Sequence, residues 1–440
     1  MDLIPKPDQI VSAASNVAHK MLYGGLADLR PMPRTLIDEG TLRELYHYRP
    51  VAKVVQQGDP VLMVTPLAAP AICFDLRRGC SLVEHFVTQG RPTYLVEYGE
   101  VSFRDRNLGM EHWIDEVLPE AIRETSRHAG GRPVHVVGWS LGGIFSLLAA
   151  ADSPDLPIAS LSIVGSPFDV SLVPLVAPLR PLLKINFTES RGAITRAYQA
   201  MGGAPKPLVK WAFQLSSFQK LVTKPLAVAT HLDDHDFLAQ IEAVDRFTAN
   251  MIAYPGRTFG QLYHRFVKGN GLVTGSIDFG DRTIDVAAIK APVLVFGGAN
   301  DGIAPIPAVK AVVPLLKGAR EVRFEVVPGG HLGMLTGRSA RTSTWRAMDE
   351  WIDRWASDAE KSDTDDSTAT APAKKAPAKK APAKKAPAKK TAAARTPTKK
   401  TATKKAPAKK PATKAAASAE AIGANPSRRY GSQGSRALSR

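Results

Sequence analysis

Hydrophobic positions in the first 357 residues form short apolar runs that alternate with segments of helical spacing. The runs that have the length and composition of buried strands are 60–65, 93–98, 134–139, 160–165, 292–298 and 322–330. Between the second and third runs, apolar residues recur every three or four positions from Trp113 to Ile122, which predicts a helix. Pro119 is either a kink in that helix or its true start. This alternation predicts an α/β fold with a mostly parallel sheet covered on both faces.

The alternation stops between about 169 and 290, and an insertion of that size predicts a helical cap over a site at the sheet. Its apolar runs, 172–183 and 207–215, either line a pocket for an acyl chain or only pack the cap onto the body. We therefore expect an N-terminal helical or entry segment at 1–50 and the main domain at 51–357. Residues 358–440 are predicted to be a disordered linker and tail.

Charge separates the tail from the body. The formal net charge is +17, yet residues 368–440 hold 15 Lys and 5 Arg against Glu420 alone, so the remainder is nearly neutral. The motif Ala-Pro-Ala-Lys-Lys occurs four times in succession from Ala371 to Lys390 and again at 406–410. Regular prolines prevent a continuous helix and no large apolar side chain offers a core, so this composition predicts disorder.

Paired lysines on such an extended chain can follow a phosphate backbone without reading bases. The repeats resemble the tails of linker histones and of some bacterial nucleoid proteins, which favours nucleic acid as the partner of 368–440. Polyphosphate and an anionic membrane surface remain alternatives, and so does a solvated linker without a partner.

Other sequence features narrow the class of protein. The chain has no continuous apolar stretch of about 18 residues and its first residues lack a secretory pattern, so we expect a cytoplasmic protein without a transmembrane segment.

Cys73 and Cys80 are too few for a disulfide framework and are predicted to be buried, reduced thiols. The run 231–236, HLDDHD, suggests a metal site, but a solvated loop or helix start explains it better because no further ligands are evident. The sequence therefore predicts no metal site.

The run 134–143, VHVVGWSLGG, places a serine between a predicted strand and a predicted helix. A nucleophile on such a sharp turn needs small residues two positions before and after it, and Gly138 and Gly142 flank Ser140 in this way. The free N–H groups at the start of the following helix favour an oxyanion, and the Leu141 N–H is the first expected donor. Ser140 is therefore the candidate nucleophile.

A serine nucleophile requires a base and an acid, and both follow in the chain. Asp301 comes directly after the predicted strand 292–298, and His331 directly after 322–330. Three residue types in this order, each beyond a strand end, predict a Ser140–His331–Asp301 triad. The loop after the first main strand is expected to provide a second oxyanion donor through the N–H of Leu67 or Ala68. Such a triad requires neither metal nor organic cofactor.

These motifs resemble the polyhydroxyalkanoate synthases and their relatives in the α/β-hydrolase superfamily. The resemblance extends from about Thr35 to Gly337 and includes RTLIDEGTLRELYHYRP, the elbow around Ser140, SLSIVGSPFDV, IKAPVLVFGGANDGIAP and GGHLGML. It implies an α/β-hydrolase fold with a cap. Synthases of this family carry cysteine where this chain has Ser140, and their oxyanion loop has a Pro-Pro pair and an asparagine where this chain has Thr65-Pro66 and Ala69. The cap segment 247–256 also departs from the family pattern.

A thiolate suits the repeated acyl transfer of polymerisation, whereas a serine acyl-enzyme more commonly ends with water. The sequence therefore predicts a serine hydrolase of the lipase, esterase or thioesterase type, acting on a lipophilic acyl ester or acyl-CoA. An acyltransferase or polyhydroxyalkanoate synthase with the same triad is one alternative. A non-catalytic protein that tethers a lipid or polymer granule to the nucleoid is another. The oligomeric state is left open.

Overall fold

The structure, a computed structural model, describes residues 6–174 and 218–357 together with the single positions 176, 200, 203, 204 and 207. All of them belong to one of two compact units of the chain, Met1–Pro372, and the other unit, Ala373–Arg440, contains none of them. The segment 358–440, predicted to be disordered, thus lies outside the described residues. So do most positions of the apolar runs 172–183 and 207–215.

An eight-stranded sheet lies at the centre of the described residues. Its strands in chain order are β1 (Arg34–Gly40), β2 (Arg43–Tyr48), β3 (Val61–Val64), β4 (Thr93–Glu97), β5 (Val134–Trp139), β6 (Ile158–Val164), β7 (Val293–Gly298) and β8 (Val322–Val327). The spatial order is β1-β2-β4-β3-β5-β6-β7-β8. The β1–β2 and β2–β4 pairs are antiparallel and the others parallel. The predicted α/β fold with a mostly parallel sheet is confirmed.

All six predicted strands are present, with ends shifted by at most three residues, but β1 and β2 were not predicted. Residues 34–48 were assigned to a separate entry segment, whereas the structure places them in the main sheet through the pairing of β2 with β4. Both strands are mostly half-exposed and carry charged residues, so they lack the continuous apolar run that marks a strand buried on both faces. Only helix α1 (Pro7–Tyr23) precedes them among the described residues.

Helices cover the sheet and build the insertion. After α1 they are α2 (Leu82–Thr88), α3 (Leu118–His128), α4 (Leu141–Asp152), α5 (Phe218–Thr230), α6 (His235–Ala249), α7 (Gly256–Gln261), α8 (Ile306–Lys310), α9 (Gly333–Thr336) and α10 (Thr344–Arg354). A π-helical segment, His112–Val117, leads directly into α3, so Pro119 lies in the first turn of the α-helix. In the described part of the chain, no helix is both long and apolar enough to cross a bilayer.

Apolar side chains pack in two layers, one on each face of the sheet. The alternation along β5 shows this, because Val134 and Val136 join one layer while Val137 and Trp139 join the other. Helices α3 and α4 cover the first face, and α2 and α10 cover the second. The carboxyl ends of the parallel strands are thereby held at one rigid edge, where the loops that carry polar residues meet.

The described part of the insertion between β6 and β7 contains α5, α6 and α7 and a short antiparallel ribbon, Ser276–Asp278 with Thr283–Asp285. Helix α6 starts in the acidic run 231–236, and its N-cap Asp234 accepts a hydrogen bond from the Phe237 N–H at 2.8 Å. The run is thus a helix start. Buried Arg77 ties α6 to the body through Asp236, at 2.7 Å, and Gln240, at 2.9 Å.

Candidate active site

Ser140 occupies the turn between β5 and α4. Its backbone has φ 54° and ψ −121°, an unfavourable conformation for a residue with a side chain. The turn is held from β6, since the Ser140 N–H donates to the Val164 carbonyl at 2.8 Å and the Ser166 hydroxyl donates to the Ser140 carbonyl at 2.6 Å. A strained serine fixed at a strand-to-helix turn is the geometry of a nucleophile elbow.

The glycines of the elbow are required by close backbone packing. A methyl group at Gly142 would lie 2.5 Å from the Val64 carbonyl oxygen, and one at Gly138 would lie 2.6 Å from the Gly143 Cα. Both distances are shorter than nonbonded atoms tolerate. The first turn of α4 therefore lies directly against the carboxyl end of β3.

Asp301 and His331 are paired at the neighbouring strand ends. His331 Nδ1 lies 2.8 Å from Asp301 Oδ2, and both side chains are buried. Asp301 Oδ1 accepts hydrogen bonds from the N–H groups of Ile303, at 2.8 Å, and Ala304, at 2.9 Å. A carboxylate oxygen accepts, so Nδ1 is assigned as the donor of this hydrogen bond, which leaves Nε2 as the candidate proton acceptor of the ring.

The backbone at 164–166 brings the serine and the histidine to one place. Ser140 is hydrogen-bonded to Val164 and Ser166, as described above. A methyl group at Gly165 would lie 3.3 Å from both Cε1 and Nδ1 of His331. Ser140 and the His331 ring thus contact the same three-residue segment, and the structure gathers all three predicted triad residues at the carboxyl edge of the sheet.

The loop after β3 lies beside the elbow and is fixed on two sides. The Tyr98 hydroxyl donates to the Thr65 carbonyl at 2.9 Å, and burial raises the pKa of Tyr98, which keeps this donor protonated. The Ile252 N–H donates to the Ala68 carbonyl at 2.8 Å. The N–H groups of Leu67 and Leu141 form no hydrogen bond with any other described residue. These two groups are thus available for a ligand oxygen.

Two residues that the sequence analysis did not single out complete the site. Ser166 is fully buried and holds the Ser140 carbonyl. Trp139 donates its Nε1–H to the His331 carbonyl at 3.1 Å. Trp139 directly precedes the candidate nucleophile, and that position could have marked it as a site residue. In the sequence, however, a tryptophan at the end of an apolar run is interpreted as a core residue. The sequence gives no indication of the role of Ser166, because its hydrogen bond to Ser140 depends on how β6 lies beside β5.

Within residues 6–174 and 218–357, no group of three or more His, Cys, Asp or Glu side chains has an arrangement able to hold a metal ion. The site itself presents a serine, an imidazole, a carboxylate and main-chain N–H groups.

Comparisons with known proteins find similar sequences and a similar solved structure. The poly(3-hydroxyalkanoate) polymerase subunit PhaC of Allochromatium vinosum is 25% identical over 358 residues, which cover 79% of this chain and 98% of that protein. PhaC of Thiocystis violacea is 25% identical over 309 residues, 70% of this chain and 84% of that protein. A solved carboxyl esterase from Bacillus coagulans matches with a TM-score of 0.46 and 16% identity, over 74% of this chain and 98% of its own.

The family assignment rests on a direct match. The model of the Alpha/beta hydrolase family matches residues 47–343, which include β3 to β8, the elbow and the pair formed by Asp301 and His331. The chain is accordingly similar to the polyhydroxyalkanoate polymerases, and it belongs to the alpha/beta hydrolase family.

Proposed function

We propose that this protein is a serine hydrolase that cleaves a lipophilic ester or thioester through an acyl-enzyme on Ser140. The observation that carries the proposal is the paired Asp301 and His331 beside a strained serine at a strand-to-helix turn. Backbone strain on a non-glycine residue is costly and persists where its surroundings impose it, which is typical of functional positions. An acyl substrate also agrees with the similarity to polymerases that join hydroxyacyl units.

In this proposal His331 Nε2 removes the Ser140 proton as Oγ attacks the acyl carbonyl. Asp301 keeps the proton on Nδ1 and stabilises the imidazolium that forms. The N–H groups of Leu141 and of Leu67 or Ala68 bind the oxyanion, which ends as the carbonyl of the acyl-enzyme when the leaving group departs with the proton from His331. Water, activated by the same histidine, then releases the acid and restores Ser140.

Apolar surroundings support a lipophilic acyl group. Buried Trp139, Phe247 and Met251 pack in one cluster with Ala68, next to the proposed oxyanion loop. Burying a methylene group of a substrate among such side chains contributes about 0.8 kcal/mol. Longer acyl chains that contact this cluster are therefore expected to bind more tightly.

Acyl transfer, including polymerisation, is the second candidate function, and the similarity to PhaC favours it. The residue at the nucleophile position separates the two reactions, because polymerases of this family use a cysteine where this chain has Ser140. We expect wild-type protein to hydrolyse hydroxyacyl-CoA and Ser140→Cys to hydrolyse it more slowly with more transfer to a second acceptor. Polymer formed by the wild-type protein would favour the second function.

Fluorophosphonate labelling and an ester series test the proposal. Wild-type protein is expected to be labelled at Ser140 and to cleave p-nitrophenyl esters and acyl-CoA thioesters of graded length. Ser140→Ala is expected to abolish both reactions, and His331→Ala to reduce turnover by about three orders of magnitude or more. An unlabelled, correctly folded wild-type protein would instead support the non-catalytic granule or nucleoid tether.

We further propose that the basic tail binds nucleic acid in the cytoplasm and holds the enzyme near the nucleoid or near lipid or polymer granules. The support is the sequence alone, in which the lysine pairs recur every five residues from Ala371 to Lys390. Such a chain binds phosphates electrostatically and without base recognition. Polyphosphate and anionic lipid surfaces are also negatively charged, and they serve as competing ligands when nucleic-acid binding by the tail is tested.

A further inference from the structure

Trp139 contacts His331 in two ways. Its Nε1–H donates to the His331 carbonyl at 3.1 Å, and the two ring centroids lie 5.1 Å apart with the planes inclined by 40°. Trp139 is 1% exposed, so water does not compete for this hydrogen bond. The indole therefore fixes both the backbone and one side of the ring of the proposed general base.

Asp301 and Gly165 lie on two sides of the His331 ring, and Trp139 lies on a further side. Asp301 holds Nδ1 at 2.8 Å, and Gly165 lies on the side of Cε1 and Nδ1, where a methyl group on its Cα would be 3.3 Å from both atoms. A carboxylate bonded to one nitrogen still allows the ring to swing about that bond. A flat ring packed at a tilt against another side and a fixed main-chain carbonyl restrict this freedom.

Trp139 is itself held by the insertion. The ring of Phe247, near the end of α6, lies 5.9 Å from the Trp139 ring, and Phe247 is 5% exposed. Five residues later, Ile252 donates to Ala68 in the proposed oxyanion loop. The end of α6 and the residues that follow it thus contact the neighbours of both the base and the oxyanion donors.

We infer that Trp139 is a positioning residue for His331, which fixes the imidazole for proton transfer with Ser140. Phe247 supports it from the insertion. This inference rests on the proposed function, since it assigns His331 the role of general base. A misplacement of about 1 Å at a catalytic group can cost on the order of a hundredfold in rate, so restraints on the ring affect turnover rather than substrate binding.

The test compares Trp139→Phe in the full-length protein with Trp345→Phe. Trp345 is a matched control because its buried Nε1–H also donates to a main-chain carbonyl, that of Leu335, at 2.7 Å. In Trp139→Phe we expect kcat to fall about tenfold, the equivalent of one hydrogen bond, with KM within about twofold. Trp345→Phe is expected to retain the wild-type kcat. Equal losses in the two variants, or no loss in Trp139→Phe, would overturn the inference.

A spectroscopic measurement makes the test independent of turnover. The Nδ1 proton between His331 and Asp301 gives a low-field proton resonance, assigned by its absence in His331→Gln. We expect Trp139→Phe to broaden it through exchange with water and Trp345→Phe to leave it sharp. An unchanged resonance in Trp139→Phe overturns the positioning role even if Ser140 labels normally. Absence of fluorophosphonate labelling at Ser140 in the wild-type protein would instead overturn the proposed function.

A third variant covers the case in which Trp139→Phe does not fold. Site-specific replacement of Trp139 by 3-benzothienylalanine keeps the shape and stacking of the ring and removes only the N–H donor. A sharp resonance and full kcat in this variant would contradict a role for the hydrogen bond. The expected result is again a broadened resonance and a lower kcat.

Discussion

Asp301 divides its two carboxylate oxygens between different partners: Oδ2 lies 2.8 Å from His331 Nδ1, while Oδ1 accepts the N–H groups of Ile303 and Ala304. The carboxylate is thus oriented by hydrogen bonds within its own loop as well as by the histidine.

Replacement of Asp301 by asparagine tests the pairing. The amide keeps the shape of the carboxylate but can donate to Nδ1, which favours the wrong imidazole tautomer, so we expect kcat to fall by about 10³- to 10⁴-fold. Asp349→Asn is the matched control, because Asp349 lies 2.9 Å from His85 Nε2 in a pair on α10 and α2. Steady-state ester hydrolysis measures both variants. Comparable losses in the two would contradict the assigned role of Asp301.

Ser166→Ala tests whether the hydroxyl of Ser166, two residues after β6, maintains the strained turn at Ser140. Without its hydrogen bond the Ser140 carbonyl keeps only the N–H groups of Gly143, at 3.1 Å, and Ile144, at 3.3 Å, as donors, and we expect acylation to slow by about tenfold. Ser146→Ala serves as control, since the Ser146 hydroxyl is also buried and donates to a carbonyl, that of Gly142, at 2.8 Å. Stopped-flow fluorophosphonate labelling gives the rate. A wild-type rate for Ser166→Ala would show that β5 and α4 hold the turn unaided.

Gly142→Ala is expected to destabilise the protein by about 2 kcal/mol or more, because the added methyl group meets the main chain after β3. Urea unfolding monitored by tryptophan fluorescence measures the free energy of unfolding. In Gly333→Ala, where a methyl group has no neighbour within 4 Å, the change should stay within about 0.5 kcal/mol. Equal stability of the two variants would contradict the close approach of α4 to β3.

Acid should destabilise the protein through His135. This side chain is 1% exposed and bonded to Ser160, and burial lowers its pKa to about 4, against a small opposing influence of Asp59. The unfolded chain binds this proton near pH 6.5, so the folded state loses stability as the pH falls from about 6.5 to about 4, by about 3 kcal/mol in total. Above pH 7 the contribution is constant.

His135→Gln removes that titration while keeping a polar group beside Ser160. The difference in free energy of unfolding between pH 7.5 and pH 4.5, from urea denaturation, should be smaller in His135→Gln than in wild type. A pH dependence identical in the two proteins would assign the acid sensitivity to other groups.

Deletion of residues 368–440 should abolish nucleic-acid binding and leave ester hydrolysis unchanged, because the remainder of the chain is nearly neutral. Gel shifts at increasing salt concentration measure the affinity of the full-length protein for nucleic acid. On a log–log plot against salt concentration, this affinity is expected to fall with a slope of about −0.9 per phosphate contacted. Polyphosphate and anionic vesicles are the competitors. A gel shift by the truncated protein would place the binding site elsewhere.

The sequence alone predicted the elements that have a strong local signature. The apolar runs of β3 to β7 are largely buried on both faces, so their composition depends little on the neighbouring strand, while the half-exposed edge strand β8 was recognised from its apolar and β-branched residues. The small residues around Ser140 reflect a local turn, and Asp301 and His331 each directly follow a strand. Parallel strands place their carboxyl ends at one edge, which is why three separated sequence positions predicted a common site.

The tertiary structure decided what depends on contacts between distant segments. Edge strand β1 and its neighbour β2 are partly exposed, so their polar composition concealed them, and only the pairing of β2 with β4 identifies them as part of the sheet. Ser166 and Trp139 are an ordinary serine and an ordinary core tryptophan in the sequence. Their hydrogen bonds to Ser140 and His331 exist because β6 lies beside β5 and the loop after β8 folds back over Trp139. Local composition encodes burial, whereas the partner of a buried polar group is set by the packing of the whole domain.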